Sequence, residues 1–169
     1  MSDRLAPPVL VPDSAHSAEQ ARRLLTLGEQ IVPGHQVLAG RFVALMCSVP
    51  ADPAAQRLAR AAADLGMQVT QVAPPFEGQR IDALARILDQ LYDAVDCVGM
   101  VRAEVQQLAR ACRVPVFDSL AGSDRPLAAL ATDLRDPALD GAPDAHELRH
   151  RRLVQAVLVE CISGAETLV

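Results

Sequence analysis

The chain has 169 residues, enough for one domain with a proper core; half are apolar and only 2% aromatic, so that core is built from Leu, Val and Ala. All 16 basic residues are arginines, which excludes Schiff-base and lysine-nucleophile chemistry. The net charge of −5 argues against a nucleic-acid partner, since nucleic acid selects for basic surfaces. Met1 to Pro8 carries no apolar leader core, and no stretch approaches the ~18 apolar residues of a membrane span, so a soluble cytoplasmic protein without a membrane partner is expected. Cys47, Cys97, Cys112 and Cys161 lie far apart with no C-x-x-C pair, and are expected as free, buried thiols.

Residues 1–15 are Pro-rich and read as an irregular arm. Ser17-Ala18-Glu19-Gln20 is a capping box that opens a helix over about 18–31. A strand follows at 42–49, then a helix at 53–65 stopped by Gly66 at its C′ position, and a strand at 67–73. A helix at 80–92, a strand at 94–99, a helix at 101–112, a short strand at 114–117 and a helix at 124–134 continue the alternation. Residues 135–143 are a linker by composition. Residues 144–169 form a last helix, capped by Asp144 with Glu147 at N3. Its apolar face comprises Leu153, Val154, Val157, Leu158, Cys161 and Ile162. Apolar strands alternating with helices predict an α/β fold. The expected form is a doubly wound parallel four-stranded sheet with helices on both faces, closed by the C-terminal helix.

Ligands of such sheets bind at the carboxyl ends of the strands. There the turn after the first strand leads into a helix that opens at Asp52-Pro53, a place where free N–H groups and a positive dipole end attract anions. Asp52 puts a negative charge at that point, and Pro53 deletes a donor. Ser48, Asp52, Gly99, Asp118, Ser119 and Arg125 make the strand-end cleft polar, and its two carboxylates suit an amine-bearing molecule. His146-Glu147-Leu148-Arg149-His150 matches the zinc-protease pattern H-E-x-x-H, but Ala156 stands where a third ligand would follow, so no metal is expected. Arg149, Arg151 and Arg152 are expected on a solvated helix face.

Three segments, Ala61-Ala62-Ala63-Asp64-Leu65-Gly66-Met67-Gln68-Val69-Thr70, Arg86-Ile87-Leu88-Asp89-Gln90-Leu91-Tyr92-Asp93 and Val114-Pro115-Val116-Phe117-Asp118-Ser119-Leu120, resemble the carbamoyl-phosphate domain of ornithine carbamoyltransferases, with aspartate carbamoyltransferase more distant. The resemblance covers residues 16–134, and Glu147 to Val157 is similar to that family's C-terminal helix, which packs back on the first domain. The family's second domain, which binds the amino-acid substrate, has no counterpart. The family's Ser-Thr-Arg-Thr-Arg falls on Ala51, Asp52, Pro53, Ala54 and Ala55, and its arginine after the third strand falls on Val98. Its His-Pro-x-Gln falls on Arg125-Pro126-Leu127-Ala128. Charge-assisted bonds worth roughly 1.5–3 kcal/mol each are thereby lost. The resemblance thus implies a degenerate cleft of Ser48, Ala51, Asp52, Val98, Asp118, Ser119 and Arg125, and a chain that is not an enzyme and needs no cofactor. On this reading it acts as an oligomeric interaction or regulatory subunit, a homotrimer or a companion of an active carbamoyltransferase. The alternative is a small-metabolite-binding protein or enzyme reusing the cleft.

Overall fold

A computed structural model describes residues 18–164. The arm at 1–15 and the capping-box residue Ser17 lie outside the described residues. Four strands, β1 (Phe42–Cys47), β2 (Gln68–Val72), β3 (Ala94–Val98) and β4 (Val116–Asp118), form one parallel sheet in the order β2-β1-β3-β4. The helices are α1 (Ala18–Gln30), α2 (Pro53–Asp64), α3 (Ile81–Leu91), α4 (Arg102–Ala111), α5 (Pro126–Leu130) and α6 (Ala145–Ser163). The chain leaves β1 toward β2 on one side and returns to β3 on the other, so this is the doubly wound α/β sheet that the sequence predicts.

Side-chain alternation divides the core in two. Val43, Leu45 and Cys47 of β1, with Ala94 and Val98 of β3, face a larger core shared with α1, α2, α5 and α6. Ala44 and Met46, with Val95 and Cys97, face a smaller core closed by α3 and α4. Apart from Asp96 in β3, the central strands are apolar on both faces, as buried parallel strands require. β2 departs from the expectation: Gln68, Thr70 and Gln71 are exposed, because it is the sheet edge and its outer side meets no helix.

Local chemistry sets the boundaries. Asp52 caps α2, its Oδ1 accepting from the N–H groups of Ala54 at 2.8 Å and Ala55 at 3.4 Å, with Pro53 at N1. Gly66 ends α2 at φ +86°, with Met67 N–H on the Ala62 carbonyl and Gly66 N–H on that of Ala63, a Schellman closure. A Cβ there would also stand 2.7 Å from Gln36 Cβ. β4 starts at Val116 instead of Val114 because Asp89 Oδ1 takes the N–H groups of Arg113 and Val114. The expected helix at 124–134 is shorter, α5 followed by a 3-10 turn at Ala131–Asp133, and it starts at Pro126 with no side-chain cap from Asp124.

The final helix differs most from its sequence reading. α6 is not apolar on one face only: His150, Gln155 and Ala156 are buried along with Leu153, Val154, Val157, Leu158 and Ile162, while Cys161 is half-buried. α1, α2, α5 and the 3-10 turn surround it. Gly28 of α1 permits the closest approach, since a Cβ there would come within 3.3 Å of Leu153 and 3.1 Å of Leu134. Asp144 makes no side-chain cap, and Leu148 N–H bonds its carbonyl instead. No helix among the described residues is long and apolar enough to cross a membrane.

Burying each large apolar side chain of α6 is worth on the order of 1.5–3 kcal/mol. Truncation after Asp140 should therefore abolish cooperative thermal unfolding. A truncated chain that melts like the parent would show that α6 is dispensable.

Candidate functional site

At the carboxyl ends of the strands, the structure brings three of the expected site residues together. Arg125 Nη2 donates to Asp118 Oδ1 at 3.2 Å, and the carboxylate is only 10% exposed. Ser119, next to Asp118, adopts φ +51°, a costly left-handed conformation for a residue with a Cβ. Its N–H and its hydroxyl both bond the Cys97 carbonyl, at 2.9 and 3.3 Å, which holds it there. Ser48 and Ala51 are exposed in the turn between β1 and α2, and Asp52 is half-buried below them as the cap. Val98 does not line an open cleft; at 5% exposure it is sealed into the larger core. Gly99 follows it at φ +73°.

Two charged residues outside the expected set organise this end. Asp96 is fully buried in β3, and its Oδ1 accepts the N–H of Leu120 at 3.0 Å while Oδ2 has no partner. Burial pushes its pKa up to about 7, the Leu120 N–H opposes the rise, and Asp118 adds to it. Arg57 of α2 donates through Nη1 to the Ala121 carbonyl and through Nε to Glu147 Oε1 at 2.7 Å. It thus ties the loop after β4 to α6. Asp96 was legible as the lone charge within Ala94–Val98; the Arg57 contacts span 64 and 90 residues and left no local signal.

The H-E-x-x-H helix is occupied by these packing roles. Glu147 does not serve as a capping-box residue; the Arg57 hydrogen bond holds its carboxyl below the usual range. His150 is 2% exposed, its Nε2 has no partner, and burial together with Arg57 pushes its pKa down to about 4. Among the described residues no three His, Cys, Asp or Glu side chains group as metal ligands. The arginine cluster is not a solvated face: Arg149 lies against Asp140, Arg151 against Asp64 and Arg152 against Asp136, and all three arginines are half-buried. Burial raises the thiols of Cys112 and Cys161 to about 12 and that of Cys97 higher still, so none is a nucleophile near neutrality.

Asp96 and His150 act in opposite directions on stability. Asp96 holds its proton in the fold up to about pH 7 but loses it near 3.8 when unfolded, so its contribution falls as pH rises through that window. His150 stays neutral in the fold down to about pH 4 but protonates near 6.5 when unfolded, so its contribution grows as pH rises from 4 to 6.5. Relative to the parent, Asp96→Asn should gain stability with rising pH, by up to about 1.4 kcal/mol per unit, and His150→Gln should lose it. Denaturant titrations between pH 4.5 and 6.5 check both signs, and differences independent of pH would refute the assignments.

No family model matches the chain. By sequence it is similar to the catabolic ornithine carbamoyltransferase of Mycoplasma pneumoniae, 27% identical over 123 residues that make up 70% of this chain and 34% of that protein. In fold it is similar to ornithine carbamoyltransferase from Pyrococcus furiosus (TM-score 0.59, 23% identity, 70% of this chain and 41% of that one). The enzyme from Thermus thermophilus gives a TM-score of 0.58 at 22% identity, covering 75% and 47% of the two chains. The catalytic subunit of M. jannaschii aspartate transcarbamoylase gives 0.54 at 14%, covering 69% and 42%. The chain spans about a third of the curated relative and less than half of each solved structure. These comparisons overturn the expectation that the chain is not an enzyme, because the proteins it resembles are named as carbamoyltransferases and a catalytic subunit. This chain is thus similar in sequence to an ornithine carbamoyltransferase over 70% of its length, and it has the fold of a domain found in ornithine and aspartate carbamoyltransferases.

Proposed function

We propose that the chain works in the cytoplasm as an oligomeric, carbamoyltransferase-like subunit whose strand-end cleft takes an amine-bearing small molecule in place of a phosphate. The observation that carries this reading is the Asp52 cap. Its carboxylate occupies the Ala54 and Ala55 N–H groups that an anion at the start of α2 would need, and its charge repels that anion. Arg125, across the cleft, is matched by Asp118. Asp118 is thus matched by Arg125 while Asp52 is held only by N–H donors, and a carboxylate without its own cation favours an ammonium group on the ligand. The unit doing this work is taken as residues 16–134, with 135–143 leading to α6, which closes it.

Self-association rests on a separate feature. Ile87 and Leu91 on α3, the helix that covers the smaller core on the side away from α6, are 53% and 58% exposed, and Phe76 in the loop leading to that helix is 72% exposed. A homotrimer is the assembly proposed, with a dimer as the other state that this surface supports.

A thermal-shift series tests the ligand class. Millimolar 1,4-diaminobutane should raise the melting midpoint, Asp118→Asn should remove that rise, and carbamoyl phosphate should leave the midpoint unchanged. Calorimetric binding of carbamoyl phosphate tighter than about 1 mM, roughly −4 kcal/mol, would contradict the reading. Light scattering at micromolar concentration addresses assembly, and a monodisperse monomer would contradict the oligomer.

A further inference from the structure

A second concavity lies at the opposite pole, where the chain enters the strands. It has a volume of about 510 Å³ and sits between the loop after α1, the end of α2 and the outer side of α6. That is the size of a small-molecule pocket. Ile31, Val32, Leu139 and Leu148 give it aliphatic walls.

Its two arginines are in different states. Arg152 is committed, with Nη1 on the Ile31 carbonyl and Nη2 3.3 Å from Asp136. Arg151 is not: its Nη1 stands 3.6 Å from Asp64 Oδ2, beyond hydrogen-bond length, and its Nε hydrogen is buried without an acceptor. Its buried Nε is out of a ligand's reach, but the terminal N–H groups, left without a hydrogen bond by the long Asp64 contact, belong to a residue that lines the cavity and can take an acceptor there. The guanidinium edge offers parallel N–H groups whose spacing matches the two oxygens of a carboxylate.

We infer that this pocket binds a small carboxylate with an aliphatic body, the carboxylate on Arg151 and the hydrocarbon against Ile31, Val32, Leu139 and Leu148. The site is independent of the strand-end cleft. The carboxylate can belong to a free acid or to an amino acid whose ammonium group meets Asp64, half of whose side chain is exposed beside Arg151. Either ligand would clamp α6 to the loop after α1, because both contribute walls.

Calorimetry on the full chain with 4-methylpentanoate, L-leucine and the neutral 4-methylpentan-1-ol tests the inference. At least one carboxylate should bind with a Kd below about 10 mM, with the alcohol at least about tenfold weaker. Binding of both carboxylates identifies a free-acid site; binding of leucine alone identifies an amino-acid site. Arg151→Gln should weaken binding about tenfold or more. Leu139→Trp, at a half-buried wall position outside the core clusters, should fill the cavity and abolish binding while leaving the circular dichroism spectrum intact. It carries the test if Arg151→Gln does not fold. The inference is overturned if neither carboxylate binds below that limit, if the alcohol binds as tightly, or if a folded variant binds like the parent.

Discussion

The burial of α6 on nearly every side is the constraint on which the rest of this structure depends. The larger core takes side chains from β1, β3, β4, α1, α2 and α5, and α6 supplies Leu153, Val154, Val157, Leu158 and Ile162 to it. Without that helix, the face of the sheet carrying Val43, Leu45 and Phe117 would lose a major part of its cover. The polar groups of α6 follow from the same placement. Gln155 is satisfied by the Ala61 carbonyl at 3.3 Å, whereas His150 finds no partner for Nε2 and has to remain neutral. Arg57 then couples α6 to the carboxyl end of the strands, because one guanidinium holds both Glu147 and the carbonyl of Ala121.

That coupling bears on how the strand-end loop is held. Residues 118–122 are fixed from below by Asp96 through Leu120, from the side by Arg57 through Ala121, and within the sheet by the Ser119 bonds to Cys97. A loop held at three points presents Asp118 and Arg125 in a set geometry, which is what a binding site needs of its supporting shell. The left-handed backbone of Ser119 is tolerated because both of its polar groups are satisfied in that conformation.

The fold was legible because its signals are local. Five apolar residues in succession at Val43–Cys47, the Asp52-Pro53 start and the Gly66 stop each report on a few neighbouring residues. What the sequence hid is long-range. The polar His150 and Gln155 make α6 read as one-sided, and only the packing of α1 and α2 on those positions shows otherwise. The arginines at 149, 151 and 152 read as solvated because their carboxylate partners are Asp140, Asp64 and Asp136, at distances no helical spacing reveals. At the site, Asp118 and Arg125 were legible as members of one cleft but not as an ion pair, and Val98 was placed there by a family position and is buried in the core. Position-by-position matching reported which family side chains differ, and the step from that to an absence of enzymatic function did not survive comparison with the enzymes this chain resembles.

Native-state hydrogen exchange tests the central claim, that α6 is part of the folding unit and not a helix laid upon it. If it is, the amides of Leu153 to Ile162 should open only with those of β1 and β3, at the free energy of global unfolding and with the same denaturant dependence. Exchange of α6 through a separate opening, several kcal/mol below that of the sheet, would contradict it.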